Sequence, residues 1–488
     1  MKKLHALWAA VAAAALVSCG GGSDSPAPSP TPTPAPTPVA GDRIEPLDTA
    51  LSPRSTLAKT AVVATKQFPS GAPTPRVSLG PLTVVKAAAF GEMGTALKIG
   101  EGREVAATAD SGDLAALWSW KPTAEGGQVA AVAFEAEGAR AIRLAVLADS
   151  VPAGTVLRFY GVGDEVVEMT SDQLSQLRAT NESRGVMGEA ARMVWGPDTA
   201  GAVSTLEVQL PAGVDASMLR LAVPRLSHFT TTVEQTWAQP KDVRNIGAAD
   251  SCNLDVMCRP DLDTESRSVA KIIYSTSSGA FMCTGTLLND VRSSRTPYFL
   301  TATHCISDQA SASTIVAYWF FRASACNSAP LVDTAMTRTT GGADLLYANA
   351  TIDNTLVKLN MQPPARVVYA GSYFGSGVTP GVGVASVHNP QGDLQKYSVG
   401  QVTGYAACTG STCVDSSASL GARLKVAWQQ GVTQQGSSGG PLFTQINSTR
   451  YVVGSLWGGA ASCQNPNGAD YYGRLENSYA AGINRWLN

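Results

Sequence analysis

The placement of cysteines constrains this chain more than any other feature. It has 488 residues and nine cysteines. Cys19 closes a short apolar run at the N-terminus, and the other eight all fall between Cys252 and Cys463. Residues 20–251 hold none. An even set of cysteines in an exported chain is expected to pair as disulfides, which persist in oxidising compartments. The two halves therefore follow different rules: the second is cross-linked, and the first must cohere through its core alone.

The length allows two to four domains, and an apolar content of 44% is ample for real cores. Net charge is −2 and the basic residues are not clustered, which argues against a nucleic-acid partner. The four histidines, His5, His228, His304 and His388, lie far apart with no metal-ligand spacing. No metal and no cofactor are expected.

The opening "MKKLHALWAAVAAAALVSC" has two lysines before an apolar stretch too short for a comfortable membrane span. It ends Leu16-Val17-Ser18-Cys19, which resembles the lipobox of bacterial lipoproteins. That likeness implies a signal peptide over 1–18, removal of it before Cys19, and a lipid on the Cys19 sulfur. Gly20, rather than Asp, follows the cysteine. By resemblance to Gram-negative lipoproteins this implies an exported outer-membrane lipoprotein, periplasmic or at the cell surface, joined to the membrane through Cys19 without a spanning helix. Residues 19–45 read as a tether, because the Pro- and Thr-rich run over 20–40 stays extended and hydrated.

Residues 46–240 read as a β-rich domain. In "RAIRLAVLADSVPAGTVLRFYG", Ile142, Leu144 and Val146 alternate before a turn at Pro152-Ala153-Gly154. "STLEVQLPAGVDASMLRLAVP" repeats the scheme around Pro211-Ala212-Gly213. Period-two strands broken by such turns predict an antiparallel sandwich, with one short helix at "SDQLSQLR". No group of reactive residues gathers there, and His228 reads as structural. Residues 247–488 form the second domain, again of short strands, closing in a helix at "ENSYAAGINRWLN".

Three segments of this second domain carry chemistry. "PYFLTATHCI" delivers His304 from an apolar strand, "ATIDNTLVKLN" places Asp353 before another, and "QQGSSGGPLF" crowds Ser438 among glycines. Acyl transfer by serine needs a base on the hydroxyl, an acid that orients the base, and donors for the oxyanion. His304 is the candidate base, Asp353 the orienting acid and Ser438 the nucleophile. Gly436 lets the backbone turn so that the N–H groups of Gly436 and Ser438 converge as an oxyanion hole. Asp344, in "GGADLLYA", is the competing acid, and His388, in "VHNPQG", reads as structural.

T-A-x-H-C, D-x-T-L-x-x-L and G-x-S-G-G-P in that order resemble the chymotrypsin-like serine proteases, whose triad mechanism is the general template for such sites. The implied fold is a mostly β, chymotrypsin-like double β-barrel protease domain, preceded here by a β-sandwich-like prodomain. "SCNLDVMC", "CTGTLLNDVRSSRTPYFLTATHC", "IVAYWFF", "VHNPQGDLQKYS" and "DYYGRL" resemble the bacterial lysyl endopeptidases more narrowly, over about residues 247–488. That family implies three bridges, Cys252–Cys463, Cys258–Cys326 and Cys283–Cys305. Cys408 and Cys413 remain, and are expected to close an extra small loop.

The same resemblance implies a substrate pocket. Position 432, six before the nucleophile, is Val, not the Asp of many trypsin-like enzymes. Lysyl endopeptidases place an Asp in the strand before the final Y-G-R, and Asp470 stands there. A buried carboxylate favours a cationic side chain as its partner. Trp457 and Gly458, in "SLWGG", are expected to flank the pocket, although lysyl endopeptidases tend to have His at the Trp457 position. The expectation is an exported serine endopeptidase that cleaves proteins or peptides after Lys. Specificity for Arg or a small apolar residue is one alternative, and a surface binding protein that keeps the fold without turnover is another. Ser437 replaces the Asp that trypsin-type zymogens use as a switch, so maturation is expected to remove the prodomain by a cut before Cys252. Gly247 is the family-like new N-terminus. The residue before it is Ile246, so Lys241 and Arg244 are the basic alternatives.

Overall fold

The structure is a computed structural model that describes residues 41–51, 64–83, 93–163, 165–230, 248–329 and 332–488. The expected signal peptide, Cys19, the run over 20–40 and the segment with Lys241, Arg244 and Ile246 lie outside the described residues.

The first domain is a sandwich. One sheet runs, in spatial order, Arg76–Leu79, Gln128–Ala136, Val203–Leu210, Val156–Tyr160 and Val167–Thr170. Against it pack Met193–Ala200, Ala141–Ser150, Arg220–Phe229 and Leu97–Glu104. Alternate residues meet between the layers: Val132, Phe134, Leu144, Val146, Leu206 and Leu221 are all buried in one cluster. Each Pro-Ala-Gly turn carries the chain from one sheet to the other, since strands 141–150 and 156–160 pair in different sheets, as do 203–210 and 220–229. Gly154 and Gly213 supply the left-handed backbone (φ +81° and +78°) that these corners need. The expected short helix is Ser171–Ser183, started by a reciprocal Thr170–Gln173 capping box.

The second domain is two curled sheets. In one, Thr449–Gly459, Pro441–Ile446, Gly383–His388, Lys396–Thr409, Arg423–Gln430 and Ala469–Arg474 follow in order, and the last pairs with the first to close a six-stranded barrel. In the other, Val269–Thr276, Gly279–Leu288, Tyr298–Ala302, Asn354–Leu359 and Ala343–Asn349 follow in order. They curl around Ile272, Cys283, Leu287, Phe299, Trp319 and Val357. The C-terminal residues Leu475–Leu487 are helical, with a kink at Gly482 (φ +149°).

The two domains are not merely linked. Leu97–Glu104 of the sandwich pairs antiparallel with Gly279–Leu288 of the second domain, so one eleven-stranded sheet runs through both. Glycines permit this seam: a Cβ at Gly279 (φ +141°) would lie 2.1 Å from the Gly100 carbonyl oxygen. Beside it the buried Arg143 guanidinium crosses the boundary, donating to the carbonyl of Thr314 at 2.6 Å and to Ser275 Oγ at 3.2 Å. Burial lowers its pKa to about 10, against the pull of Asp198.

The division at residue 45/46 differs from the physical one. Arg43–Ile44 and Leu47–Asp48 pair with strands of the second domain, at Gly371–Tyr373 and Val368–Tyr369. Neither pair belongs to a free tether or to the sandwich.

Candidate active site

His304 follows the strand Tyr298–Ala302, and the Cys283–Cys305 bridge ties its neighbour to the adjacent strand. Asp353 ends the turn before Asn354–Leu359 in the left-handed region, φ +69°, a conformation that Asp tolerates better than most residues. These two strands pair, which brings their ends together. Asp353 Oδ1 accepts the His304 backbone N–H at 2.9 Å, and its Oδ2 lies 2.8 Å from Nδ1. A buried carboxylate can only accept here, so Nδ1 carries the proton and the lone pair is on Nε2. Nε2 is buried and has no hydrogen-bond partner among the described residues. Asp344 faces elsewhere, held by Arg184 at 2.6 and 3.0 Å.

Ser438 arrives from the other barrel. Its carbonyl accepts from Thr284 N–H at 2.8 Å. A Cβ at Gly439 would lie 2.3 Å from both the Thr284 carbonyl oxygen and Thr301 Oγ1, so only glycine lets this loop press against the strand that ends at His304. Gly436 (φ +90°) is equally confined: a Cβ there would meet Met282 Cε at 2.6 Å. Among the described residues the N–H groups of Gly436 and Ser438 have no acceptor. Two unsatisfied donors beside a serine are what a developing oxyanion requires.

A cavity of about 430 Å³ opens at Ser438, lined in part by Thr433, Leu456, Trp457, Gly458, Gly459 and Ala461. Asp470 stands one layer behind this wall. Its Oδ2 accepts from Trp428 Nε1 and Thr433 Oγ1, both at 2.7 Å, and its Oδ1 accepts from Ala461 N–H at 3.3 Å. A Cβ at Gly459 would lie 2.1 Å from Oδ1, so the glycine makes room for the carboxylate. Asp470 is fully buried, and desolvation raises its pKa to about 6 against those three hydrogen bonds. Among the described residues no cation pairs with it. Trp457 packs edge-on to Tyr471.

The four disulfides are Cys252–Cys463, Cys258–Cys326, Cys283–Cys305 and Cys408–Cys413. The first anchors the loop that carries Ala461 and Ser462 of the cavity wall. Cys283, His304 and Cys305 cluster closely enough to suggest a metal site. Both sulfurs are bonded to each other and Nδ1 is engaged by Asp353, so the group offers no thiolate.

Two family descriptions match: the lysyl endopeptidase N-terminal domain over residues 72–230 and its C-terminal domain over 246–473. A lysyl endopeptidase of Pseudomonas aeruginosa is 32% identical over 402 residues, covering 79% of this chain and 80% of the relative. The chain belongs to the lysyl endopeptidase family. It is a serine endopeptidase. Among solved structures, a thermostable serine protease AL20 from an extremophilic microorganism is 13% identical with a TM-score of 0.33, covering 46% of this chain and 98% of that one. The MamO protease domain from Magnetospirillum magneticum, in its apo form, is 13% identical with a TM-score of 0.30, covering 45% and 97%.

Three features of this lysyl endopeptidase family member escape the sequence motifs. His388, Ser398 and Ser437 form a buried relay. Ser398 Oγ donates to the Val432 carbonyl at 2.8 Å, so it must accept from His388 Nε2–H at 3.1 Å. Nδ1 then accepts from Ser437 Oγ–H at 2.8 Å, and Ser437 Oγ accepts from Gln434 N–H at 3.3 Å. The relay ties both ends of the loop 432–438. Burial drives the His388 pKa down to about 3, so the imidazole stays neutral. Next, Thr284 Oγ1 donates to the Gly436 carbonyl at 2.8 Å and accepts from Asn389 N–H at 3.2 Å, which orients the peptide between Gly436 and Ser437. Third, Met93, Gly94 and Thr95 of the first domain line the cavity. Gly94 (φ +74°) lies on the Trp457 indole, where a Cβ would stand 2.5 Å from Nε1.

Proposed function

We propose that this chain is the precursor of an exported, lipid-tethered endopeptidase that cleaves after Lys through a Ser438–His304–Asp353 acyl-enzyme. The unpaired, fully buried Asp470 carboxylate behind the cavity at Ser438 carries the lysine reading. An ionised carboxylate without a partner is costly, and a substrate ammonium entering the cavity would relieve that cost. Lys presents a compact point charge that a single carboxylate can hold; Arg needs a planar, bidentate seat.

In the reaction His304 Nε2 takes the Ser438 hydroxyl proton as Oγ attacks the scissile carbonyl. Asp353 holds the Nδ1–H tautomer and stabilises the imidazolium. The carbonyl oxygen, now negative, meets the N–H groups of Gly436 and Ser438. His304 then gives its proton to the leaving amine, and water repeats the sequence on the ester. Residues 93–95 stand at the cavity in the full-length chain, which supports an inhibitory role for the first domain before maturation.

The test is to incubate purified enzyme with denatured proteins and read the new C-termini by mass spectrometry. Lys at nearly every new C-terminus, with Ser438→Ala silent, is expected. Arg or apolar residues there would remove the lysine assignment.

A further inference from the structure

The residues upstream of the prodomain are bound to the protease domain. Arg43 and Ile44 pair with Tyr373 and Ser372, and Leu47 and Asp48 pair with Tyr369 and Val368. Phe374 N–H donates to the Asp42 carbonyl at 2.9 Å, and Thr49 Oγ1 donates to the Val367 carbonyl at 2.7 Å. Ile44 is buried among Leu288, Leu300, Ala370, Phe443 and Val452. Asp48 accepts two hydrogen bonds from Arg267, at 2.9 and 2.5 Å, and Glu45 accepts one from Tyr451 Oη at 2.6 Å. The seat is shaped to this backbone: a Cβ at Gly371 would lie 2.6 Å from the Ile44 carbonyl oxygen.

The strand Gly371–Tyr373 pairs on its other side with Thr449–Gly459, so the segment occupies its second edge. This is strand addition, in which main-chain hydrogen bonds hold a peptide and one or two side-chain seats select it. The sequence around it is arranged to survive a lysine-directed protease. No lysine occurs from residue 4 to residue 58, a stretch that includes Cys19, the tether and the docked segment. Lysines follow at 59, 66, 86, 98, 121 and 241, through the prodomain and its far boundary.

We propose that Asp42–Thr49 is a docking segment that stays on the protease after the prodomain has been cut away. The mature enzyme is then two chains, an N-terminal piece that bears Cys19 and the protease domain it grips. The membrane consequence rests on the lipid and lysine readings above; the docking itself does not.

The full-length chain is allowed to mature, and the protease peak from native size-exclusion chromatography is denatured and weighed. A second version carries a recognition sequence for an unrelated protease at residues 55–58, which guarantees a cut between segment and prodomain. The expected result is a fragment containing residues 42–49 in near-equal amount with the protease. An excess of a synthetic 41–50 peptide should displace it, and a scrambled peptide should not. Ile44→Asp combined with Asp48→Ala should reduce the retained fragment at least tenfold. Asp48→Asn, a milder change, should weaken retention without disturbing the fold. A protease peak free of residues 42–49 in both versions overturns the proposal. If the fragment co-elutes but the wild-type enzyme does not sediment with membranes, the lipid reading fails and the docking stands. A native fragment ending at a residue other than lysine sinks the lysine reading alone.

Discussion

Ser437 Oγ lies 2.8 Å from His388 Nδ1, so the residue before Ser438, the proposed nucleophile, is held by a neutral histidine. In a trypsin-type zymogen an Asp at that position waits for a freed N-terminus. Here the relay through Ser398 to the Val432 carbonyl is complete in the full-length chain. The loop 432–438 is therefore already held in place in the full-length chain, where residues 93–95 of the first domain stand at the cavity.

His388→Ala should lower kcat on the order of 10²-fold with KM little changed, since loss of one oxyanion donor costs ~10²–10³ and the loop here is only loosened. His388→Gln, which can still accept from Ser437, should recover part of that loss. Equal losses in both variants, with KM rising in step, would mean that the relay does not position the loop. Folding should also register this histidine. Its folded pKa is lowered from 6.5 to about 3, so the unfolded chain binds the extra proton between those values. Stability should rise with pH through that window, more steeply in wild type than in His388→Gln.

Ser438→Ala should abolish acyl-enzyme formation, and His304→Ala should do nearly the same, because the two act as a unit. Labelling with a serine-directed fluorophosphonate checks the first, and single-turnover kinetics check the second. Full activity in Ser438→Ala would remove the assignment.

Asp470→Asn should cut kcat/KM for Lys peptides by about 10² or more, leaving cleavage after Leu hardly changed, since ~1.4 kcal/mol is tenfold. Peptides ending in Lys, Arg, Leu and Glu, matched elsewhere, make the comparison. The same carboxylate should burden the fold. Its folded pKa is raised from 3.8 to about 6, so its contribution is best at low pH and worsens as pH rises through that interval. Two pH units at ~1.4 kcal/mol each set a ceiling of ~3 kcal/mol. The melting temperature of Asp470→Asn minus that of wild type should therefore climb between pH 4 and pH 6 and then level off. A flat difference would show that the carboxylate is already compensated.

Gly94→Val should loosen the first domain's contact with the cavity wall, and if that contact is inhibitory, as proposed, it should raise the reactivity of Ser438. The new Cβ would strike the Trp457 indole from a backbone at φ +74°, and a strain of even ~1.4 kcal/mol shifts an equilibrium tenfold. The uncut Gly94→Val chain should react with a fluorophosphonate about ten times faster than the uncut wild-type chain. Equal rates would place the inhibitory contact elsewhere in the first domain.

The sequence by itself determined the chemistry available. T-A-T-H-C, D-N-T-L and G-S-S-G-G-P are local patterns, each fixed by what a few neighbouring residues must do, so His304, Asp353 and Ser438 stand out without coordinates. Strand alternation around Leu144 and Leu206 is local too, and the sandwich was legible from it. Only the tertiary structure decided which groups go unpaired and which pair across the chain. Asp470 is recognisable by likeness, but that no cation among the described residues faces it depends on Trp428, Thr433 and Ala461 closing around it. His388 sits 49 residues from Ser437, and Asp48 sits 219 residues from Arg267. No periodicity announces such partners, because burial and hydrogen bonding at a distance are satisfied by the fold as a whole. For the same reason the boundary near residue 45 could not be read from composition: Ile44 looks like the end of a polar tether and Asp48 like the start of the β-rich domain, until the protease supplies the seat that buries one and the guanidinium that holds the other.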